Sequence, residues 1–335
     1  MKFLVFGAGA IGTYLGASLA RSGQPVSVYA RPATAAHLRA HGFRLNGAPV
    51  FAINVFDSLP TALETAPDVI LFALKAYDTA AAIADLRAVT TTPPLIVCLQ
   101  NGIGNEGALA QAFGVERVLA GTVTTAVARR TVGEAQVERE RGVGVALGHP
   151  LSEGVLVALR QAGLNAQGYA SADALKWSKL LTNLVGNATS AILDMTVAEI
   201  FADRHLFEVE RRMLCECLAV MARKNYAVVD LPGAPVRALA LGVRLPAWLG
   251  RPLLARGVAR GRGGKMPSFH IDLQGGQRTE VNWLNGAVAR SGAEAGVPTP
   301  VNHWLTQTLE ALSAGRLPRE VFRRQPAAFL AQLGQ

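Results

Sequence analysis

Gly7, Gly9 and Gly12 stand in the string Gly7-Ala8-Gly9-Ala10-Ile11-Gly12, directly after an apolar run and at the start of an Ala/Leu-rich one. At a strand-to-helix turn the first glycine permits the tight bend. The second lets backbone approach a pyrophosphate at the helix N-terminus, and the third lets helix pack closely on strand. The alternative is a glycine-rich turn with no ligand. The next apolar run ends Tyr29-Ala30-Arg31-Pro32 and lacks the acid that would bond a ribose 2′-hydroxyl. Arg31 instead offers a forked donor to a 2′-phosphate, which favours NADPH over NADH. A solvated arginine at a strand end is the bland counterpart.

Lys75 follows the apolar run 68–74, and Asn101-Gly102 follows 95–99 with Gln100 between. Ligands of open parallel sheets sit beyond the carboxyl ends of the strands, so both residues are expected to face the crevice that holds the glycine loop. Lys176, Lys179, Asn183 and Asn187 recur at spacings of 3, 4 and 4 in an otherwise apolar segment. That spacing expects one polar face on a continuous helix over 173–192. A lysine beside two amides suits an oxygen-rich anion and can donate a proton. Spacing does not choose between Lys176 and Lys179. Ser268 as a helix N-cap and Glu280 as a surface acid are the plain readings of those two positions.

These residues need elements to hold them. Apolar runs at 2–6, 26–30, 68–74, 95–99, 117–127 and 142–147 alternate with helical segments, which predicts parallel βαβ units. After about residue 170 the pattern turns helical over 173–192, 204–224, 269–291 and 301–314. The expected fold class is an α/β Rossmann-type dinucleotide-binding domain, 1–170, followed by an all-α C-terminal domain, 171–335, for substrate and catalysis.

The chain has 335 residues, half of them hydrophobic and 17% charged, which excludes a disordered or fibrous protein. Its net charge is +9, and 231–265 alone carries seven Lys/Arg (Arg237, Arg244, Arg251, Arg256, Arg260, Arg262, Lys265) and no acid. The rest is nearly neutral, so a diffuse nucleic-acid-binding surface is not expected. The basic segment reads as insertion-like and as a device that concentrates anions near the substrate site or at a subunit contact. Pro246 and Pro252 are expected to interrupt any long membrane-surface helix within it. The three cysteines, Cys98, Cys215 and Cys217, form neither a disulfide framework nor a zinc spacing, so no metal is expected. They fit a reducing, cytoplasmic setting. The first twenty residues have the makings of a signal peptide, but glycines at 7, 9, 12 and 16 have the better explanation above. No run is long enough to span a membrane.

Taken together and in order, the motifs resemble the ketopantoate reductases (2-dehydropantoate 2-reductases). The resemblance runs through 7–12, Leu74-Lys75-Ala76-Tyr77, Gln100-Asn101-Gly102-Ile103-Gly104, Gly121-Thr122, Trp177-Ser178-Lys179-Leu180, Asn183, Asn187, Ser268, Thr279-Glu280 and Asn285-Gly286. It implies an active site in a cleft between the two domains and NADPH-dependent reduction of ketopantoate to pantoate, a step of pantothenate biosynthesis. It implies Lys179 as general acid, the role its Trp-x-Lys-Leu context favours over Lys176. It implies that Glu280 binds the substrate hydroxyl, helps place the ketone and touches the cofactor, and that Asn183, Asn187 and Ser268 hold the substrate's ends. Asn101 would lie among nicotinamide, substrate and Lys179. Arg31 and Lys75 would meet the phosphate end of the cofactor, and Val127 would add a backbone contact. The implied partner is a small anionic 2-oxo acid, with a homodimer allowed and neither nucleic acid nor membrane expected. Segment 231–265 departs from compact members, which leaves a paralogue acting on another branched or aromatic 2-oxo acid as the alternative. A non-catalytic nucleotide sensor is the distant one.

Overall fold

Phe3–Phe6, Val69–Phe72 and Leu95–Cys98 are buried at every position. Unbroken β-branched and aromatic runs suit strands covered on both faces, as in a parallel sheet between helices. The computed structural model describes residues 1–50, 53–262 and 265–334, with backbone alone for 258–262. It divides into two units, Met1–Lys176 with Leu231–Ala234, and Trp177–Asp230 with Pro235–Gln335.

The first unit begins with β1 (Phe3–Phe6), α1 (Ala10–Arg21), β2 (Val26–Tyr29), α2 (Pro32–His41), β3 (Phe43–Leu45), β4 (Ala48–Val50) and β5 (Ile53–Phe56). It continues through α3 (Leu59–Glu64), β6 (Val69–Phe72), α4 (Thr79–Arg87), β7 (Leu95–Cys98), α5 (Asn105–Phe113) and β8 (Val118–Val123). It closes with β9 (Ala126–Thr131), β10 (Glu134–Arg139), β11 (Val143–Ala146), α6 (Ser152–Gln161) and β12 (Ala166–Tyr169).

Among the described residues, one eight-stranded sheet has the order β12-β11-β8-β7-β6-β1-β2-β5. The strands from β8 to β5 are mutually parallel, β11 is antiparallel to β8, and β12 is parallel to β11. The chain winds outward from β1 through β2 to β5, then crosses to β6 on the other side. That reversal is the switch point where doubly wound sheets open a crevice. The glycine loop leaves β1 there, with Arg31 beyond β2 and Lys75 beyond β6 on either side. Leu4, Phe6, Ile70, Phe72, Ile96, Cys98, Leu109 and Phe113 form the core under this sheet. A second sheet, β4-β3-β10-β9, packs on α1 and carries Val127 on its edge strand β9.

Leu231–Ala234 returns to the first unit, where Thr124 Oγ1 donates to the Pro232 carbonyl at 2.7 Å. A single division at 170/171 does not describe that return.

The chain then runs α7 (Ala172–Leu184), α8 (Asn187–Leu193), α9 (Val197–Ala202), α10 (Arg204–Arg223) and α11 (Val236–Arg244). It ends with α12 (Ala247–Arg262), α13 (Ser268–Gln274), α14 (Asn285–Ala295), α15 (Pro300–Ser313) and α16 (Pro326–Gln332). The two units divide inside α7. In the second unit, α10 is the long amphipathic helix against which α9, α11, α14 and α15 pack. Asp203 caps it by accepting from the His205 and Leu206 N–H groups.

Three expectations are corrected here. The helix over 173–192 is broken: Gly186 takes φ +63, and its N–H donates to buried Glu210 at 2.8 Å. A Cβ at Gly186 would lie 2.5 Å from Val197 Cγ1, so the bend is fixed by packing as well as by backbone freedom. The helix over 269–291 is also two helices, stopped by Gly275-Gly276 with Gly276 at φ +66. In the basic segment, Pro252 sits inside α12 instead of ending it. Pro252 and Trp248, one turn earlier, are both exposed, so water can satisfy the carbonyl that lacks its helical donor. The Arg260 and Arg262 side chains and residues 263 and 264 lie outside the described residues.

Among the described residues no helix is long and apolar enough to cross a membrane. Cys98, Cys215 and Cys217 are free thiols.

Candidate functional site

In the first unit, Gly7 adopts φ +108 and turns the chain out of β1. Gly12 lies against that turn, and a Cβ there would sit 1.9 Å from the Gly7 carbonyl oxygen. Gly9 is different. It caps α1 with ordinary dihedrals, and nothing lies within 4 Å of where its Cβ would be. The first turn of α1 has no side-chain cap and no acid, and Ala8, Ala10 and Ile11 are small or half-buried around it. Amide hydrogens at a helix start, beside space that a side chain would fill, make a cradle for a pyrophosphate. These residues therefore fit a dinucleotide.

Arg31 caps α2, and its side chain is 80% exposed. Its Nη2 lies 3.1 Å from Asp78 Oδ1, on the single-turn 3-10 helix Ala76–Asp78 that follows Lys75. An exposed ion pair of this kind is worth little and exchanges readily for a better anion. Lys75 is half-buried, and Asn101 is exposed at the end of the chain leaving β7. Both lie beyond the carboxyl ends of their strands.

Sequence reasoning passed over the residues that set these two loops. Gln100, 2% exposed, donates through Nε2 to the Lys75 carbonyl at 3.1 Å and to Thr79 Oγ1 at 2.9 Å. Thr79 Oγ1 donates to Asn105 Oδ1 at 3.1 Å, and Asn105 Nδ2 to the Asn101 carbonyl at 3.1 Å. The signal available was a polar Gln closing an apolar strand. Lys176 is also placed differently from the expected polar face shared with Lys179, Asn183 and Asn187. It is 5% exposed, with Nζ 2.6 Å from the Gln100 carbonyl, 3.3 Å from the Gly121 carbonyl and 2.7 Å from Glu106 Oε1. Cys98 lies near this pair, and burial pushes its thiol well above the usual range.

In the second unit, Lys179 and Asn183 are half-buried on successive turns of α7. Asn187 is 3% exposed and opens α8. Its Nδ2 donates to the Asn183 carbonyl at 3.1 Å and to Ser268 Oγ at 3.4 Å, and its Oδ1 accepts the Phe269 N–H at 3.0 Å. The bend at Gly186 thus turns Asn187 onto the start of α13 and gathers Asn183, Asn187 and Ser268. Ser268 is the first residue of α13, not its cap, which is Pro267. Glu280 is 5% exposed and leads into the 3-10 turn Val281–Trp283, so it is not a surface acid. His270 on α13 lies 2.6 Å from Asp194 Oδ1 through Nε2, which fastens this helix to the end of α8. Among the described residues no group of three or more His, Cys, Asp or Glu could hold a metal ion.

A family model described as "Ketopantoate reductase PanE/ApbA" matches residues 3–149, and "Ketopantoate reductase PanE/ApbA C terminal" matches 171–313. The 2-dehydropantoate 2-reductase of Archaeoglobus fulgidus is 29% identical over 316 residues, covering 93% of this chain and 97% of its own. That of Mesorhizobium japonicum is 29% identical over 333 residues, covering 90% and 94%. Among solved structures, a PanE/ApbA family ketopantoate reductase from Ralstonia eutropha JMP134 has a TM-score of 0.80 at 26% identity, covering 94% of this chain and 99% of its own. A D-mandelate dehydrogenase bound to NADH, 21% identical, shares the fold with a TM-score of 0.77 over 94% of this chain and 99% of its own.

Proposed function

The chain belongs to the ketopantoate reductase (PanE/ApbA) family, and from that premise we propose that it reduces the 2-oxo group of 2-dehydropantoate to pantoate with NADPH, in the cytoplasm. The observation that carries this reading is the glycine loop at the switch point, where Gly9 leaves room that no protein atom fills. The α1 N-terminus would hold the pyrophosphate through Gly7, Ala8, Gly9, Ala10, Ile11 and Gly12. Arg31 and Lys75 would take the 2′-phosphate end, with Val127 adding a backbone contact. Arg31 exchanges its weak pair with Asp78 for a dianion that its fork matches. NADPH, when bound, supplies the hydride.

Reduction of a ketone leaves negative charge on oxygen, and a cation with a transferable proton stabilises it. Lys179 is assigned that proton, which passes from its Nζ to the 2-oxo oxygen. Lys176 is unsuited, because its ammonium faces three oxygens within 3.3 Å in a buried site. Glu280, buried and close in sequence to the α14 start, binds the substrate hydroxyl and orients the ketone. Asn183 and Ser268 donate to the hydroxyl and carboxylate ends. Asn187, already bonded on three sides, holds those two in place. Asn101 would touch both cofactor and substrate.

The test is a panel of 2-oxo acids assayed with NADPH and with NADH. Turnover is expected to be fastest with ketopantoate and NADPH. Turnover with another branched or aromatic 2-oxo acid, and none with ketopantoate, would transfer the assignment to that acid.

A further inference from the structure

Lys176 and Glu106 form an ion pair that the assigned chemistry does not use. Lysine is almost never buried without a partner, and Lys176 is 5% exposed. An ammonium has three hydrogens. Three oxygens surround this one, the Gln100 carbonyl at 2.6 Å, Glu106 Oε1 at 2.7 Å and the Gly121 carbonyl at 3.3 Å. Two of them are backbone carbonyls at adjacent strands of the sheet: Gly121 lies in β8, and Gln100 follows β7. Exchanging such a pair for apolar side chains of similar volume is often neutral for stability, so stability alone is a poor account of it.

The Gln100 carbonyl belongs to the peptide that leads into Asn101. A trans peptide is planar, so holding its oxygen also fixes the direction of the Asn101 N–H. Asn101's own carbonyl is held by Asn105 Nδ2 at 3.1 Å. Asn101 is thus clamped on both sides, just before Gly102 and Gly104 turn the chain with φ +85 and +104. The Gln100 side chain extends the same clamp to the Lys75 carbonyl.

We infer that Lys176, neutralised by Glu106, is a positioning residue that presets the Gln100–Asn101 peptide, and through Gln100 the Lys75 loop, for the nicotinamide cofactor. The inference rests on the dinucleotide reading given above. Its readout is cofactor binding, which needs no 2-oxo acid.

The double variant Lys176→Met/Glu106→Leu removes the clamp without leaving either charge buried alone. Its melting temperature should stay close to wild type, while its NADPH dissociation constant and KM rise about tenfold, kcat falling less. A folded double variant with wild-type NADPH affinity and KM overturns the inference. If that variant does not fold, Glu106→Gln serves, because it keeps shape and removes only the counter-charge. Among the described residues facing Lys176, position 106 on α5 then carries no titratable group, and burial pushes the Cys98 thiol on β7 well above its usual range. Burial without its counter-charge disfavours the ammonium, so NADPH affinity should weaken with rising pH more steeply than in wild type. Parallel pH profiles for the two proteins overturn it. Wild-type protein that binds no dinucleotide removes the underlying reading, a result distinct from either.

Discussion

The Cβ that Gly12 lacks would lie 1.9 Å from the carbonyl oxygen of Gly7. Three residues earlier, a Cβ on Gly9 would meet no protein atom within 4 Å. The fold requires glycine at position 12, and in the proposed reading the bound cofactor requires it at position 9. Gly9→Ala should therefore melt like wild type without ligand and bind NADPH at least about tenfold more weakly. Gly12→Ala should lower the melting temperature itself. Calorimetry of both variants with and without NADPH separates the two effects. Equal losses of unliganded stability would contradict the distinction.

In the proposed reading Arg31 carries the cofactor preference. Arg31→Ala should raise KM for NADPH by about tenfold or more and leave KM for NADH nearly unchanged, because only the 2′-phosphate loses its forked donor. Steady-state kinetics with both cofactors measure this. An equal loss for both would place Arg31 outside the 2′-phosphate site.

Asp194 is expected to contribute to acid stability in the second unit. The hydrogen bond from His270 holds its carboxyl below the usual carboxylate range; burial opposes it, and the hydrogen bond from Arg323 Nε at 2.9 Å adds to the lowering. A depressed carboxylate stabilises the fold above its unfolded value, about pH 4, and that contribution is lost as pH falls through the folded value. Melting temperature should drop less steeply below about pH 4 in Asp194→Asn than in wild type. Asparagine tolerates the left-handed backbone at this position, φ +52, so the comparison isolates the charge.

How much of this was legible in the sequence depended on range. The βαβ half was readable because its signals are local: runs such as Phe3–Phe6 and 95–99, each followed by glycine or a polar residue. The glycine loop, Arg31 and Lys75 took their places from those runs. The helix over 173–192 misled because periodicity continues across Gly186. What holds the bend there is Val197 packed on Gly186 and the Glu210 carboxylate, eleven and twenty-four residues on. Helical spacing groups Lys176 with its neighbours on the helix, but its partners Gln100 and Glu106 lie about seventy residues earlier in the chain. Glu280 looked like a surface acid because burial of a single charge leaves no local pattern. The small sheet joining β3 to β10 pairs segments about ninety residues apart and has no periodic signature.

The basic segment offers a test by ionic strength. Arg244 and Arg256 are exposed on α11 and α12. If they concentrate anions, Arg244→Gln/Arg256→Gln should raise the apparent KM for the 2-oxo acid about two- to threefold at low salt, the gap closing above about 0.5 M salt. An unchanged salt dependence removes steering as the role of this segment.

The central claim is that Lys179 protonates the oxygen of a 2-oxo acid reduced by NADPH. The most direct measurement follows NADPH oxidation with ketopantoate in wild type and Lys179→Ala, with NADPH affinity measured in parallel. The account predicts clear turnover in wild type, a loss of kcat of about 10²-fold or more in the variant, and unchanged NADPH affinity. Wild-type-like turnover by Lys179→Ala would contradict it.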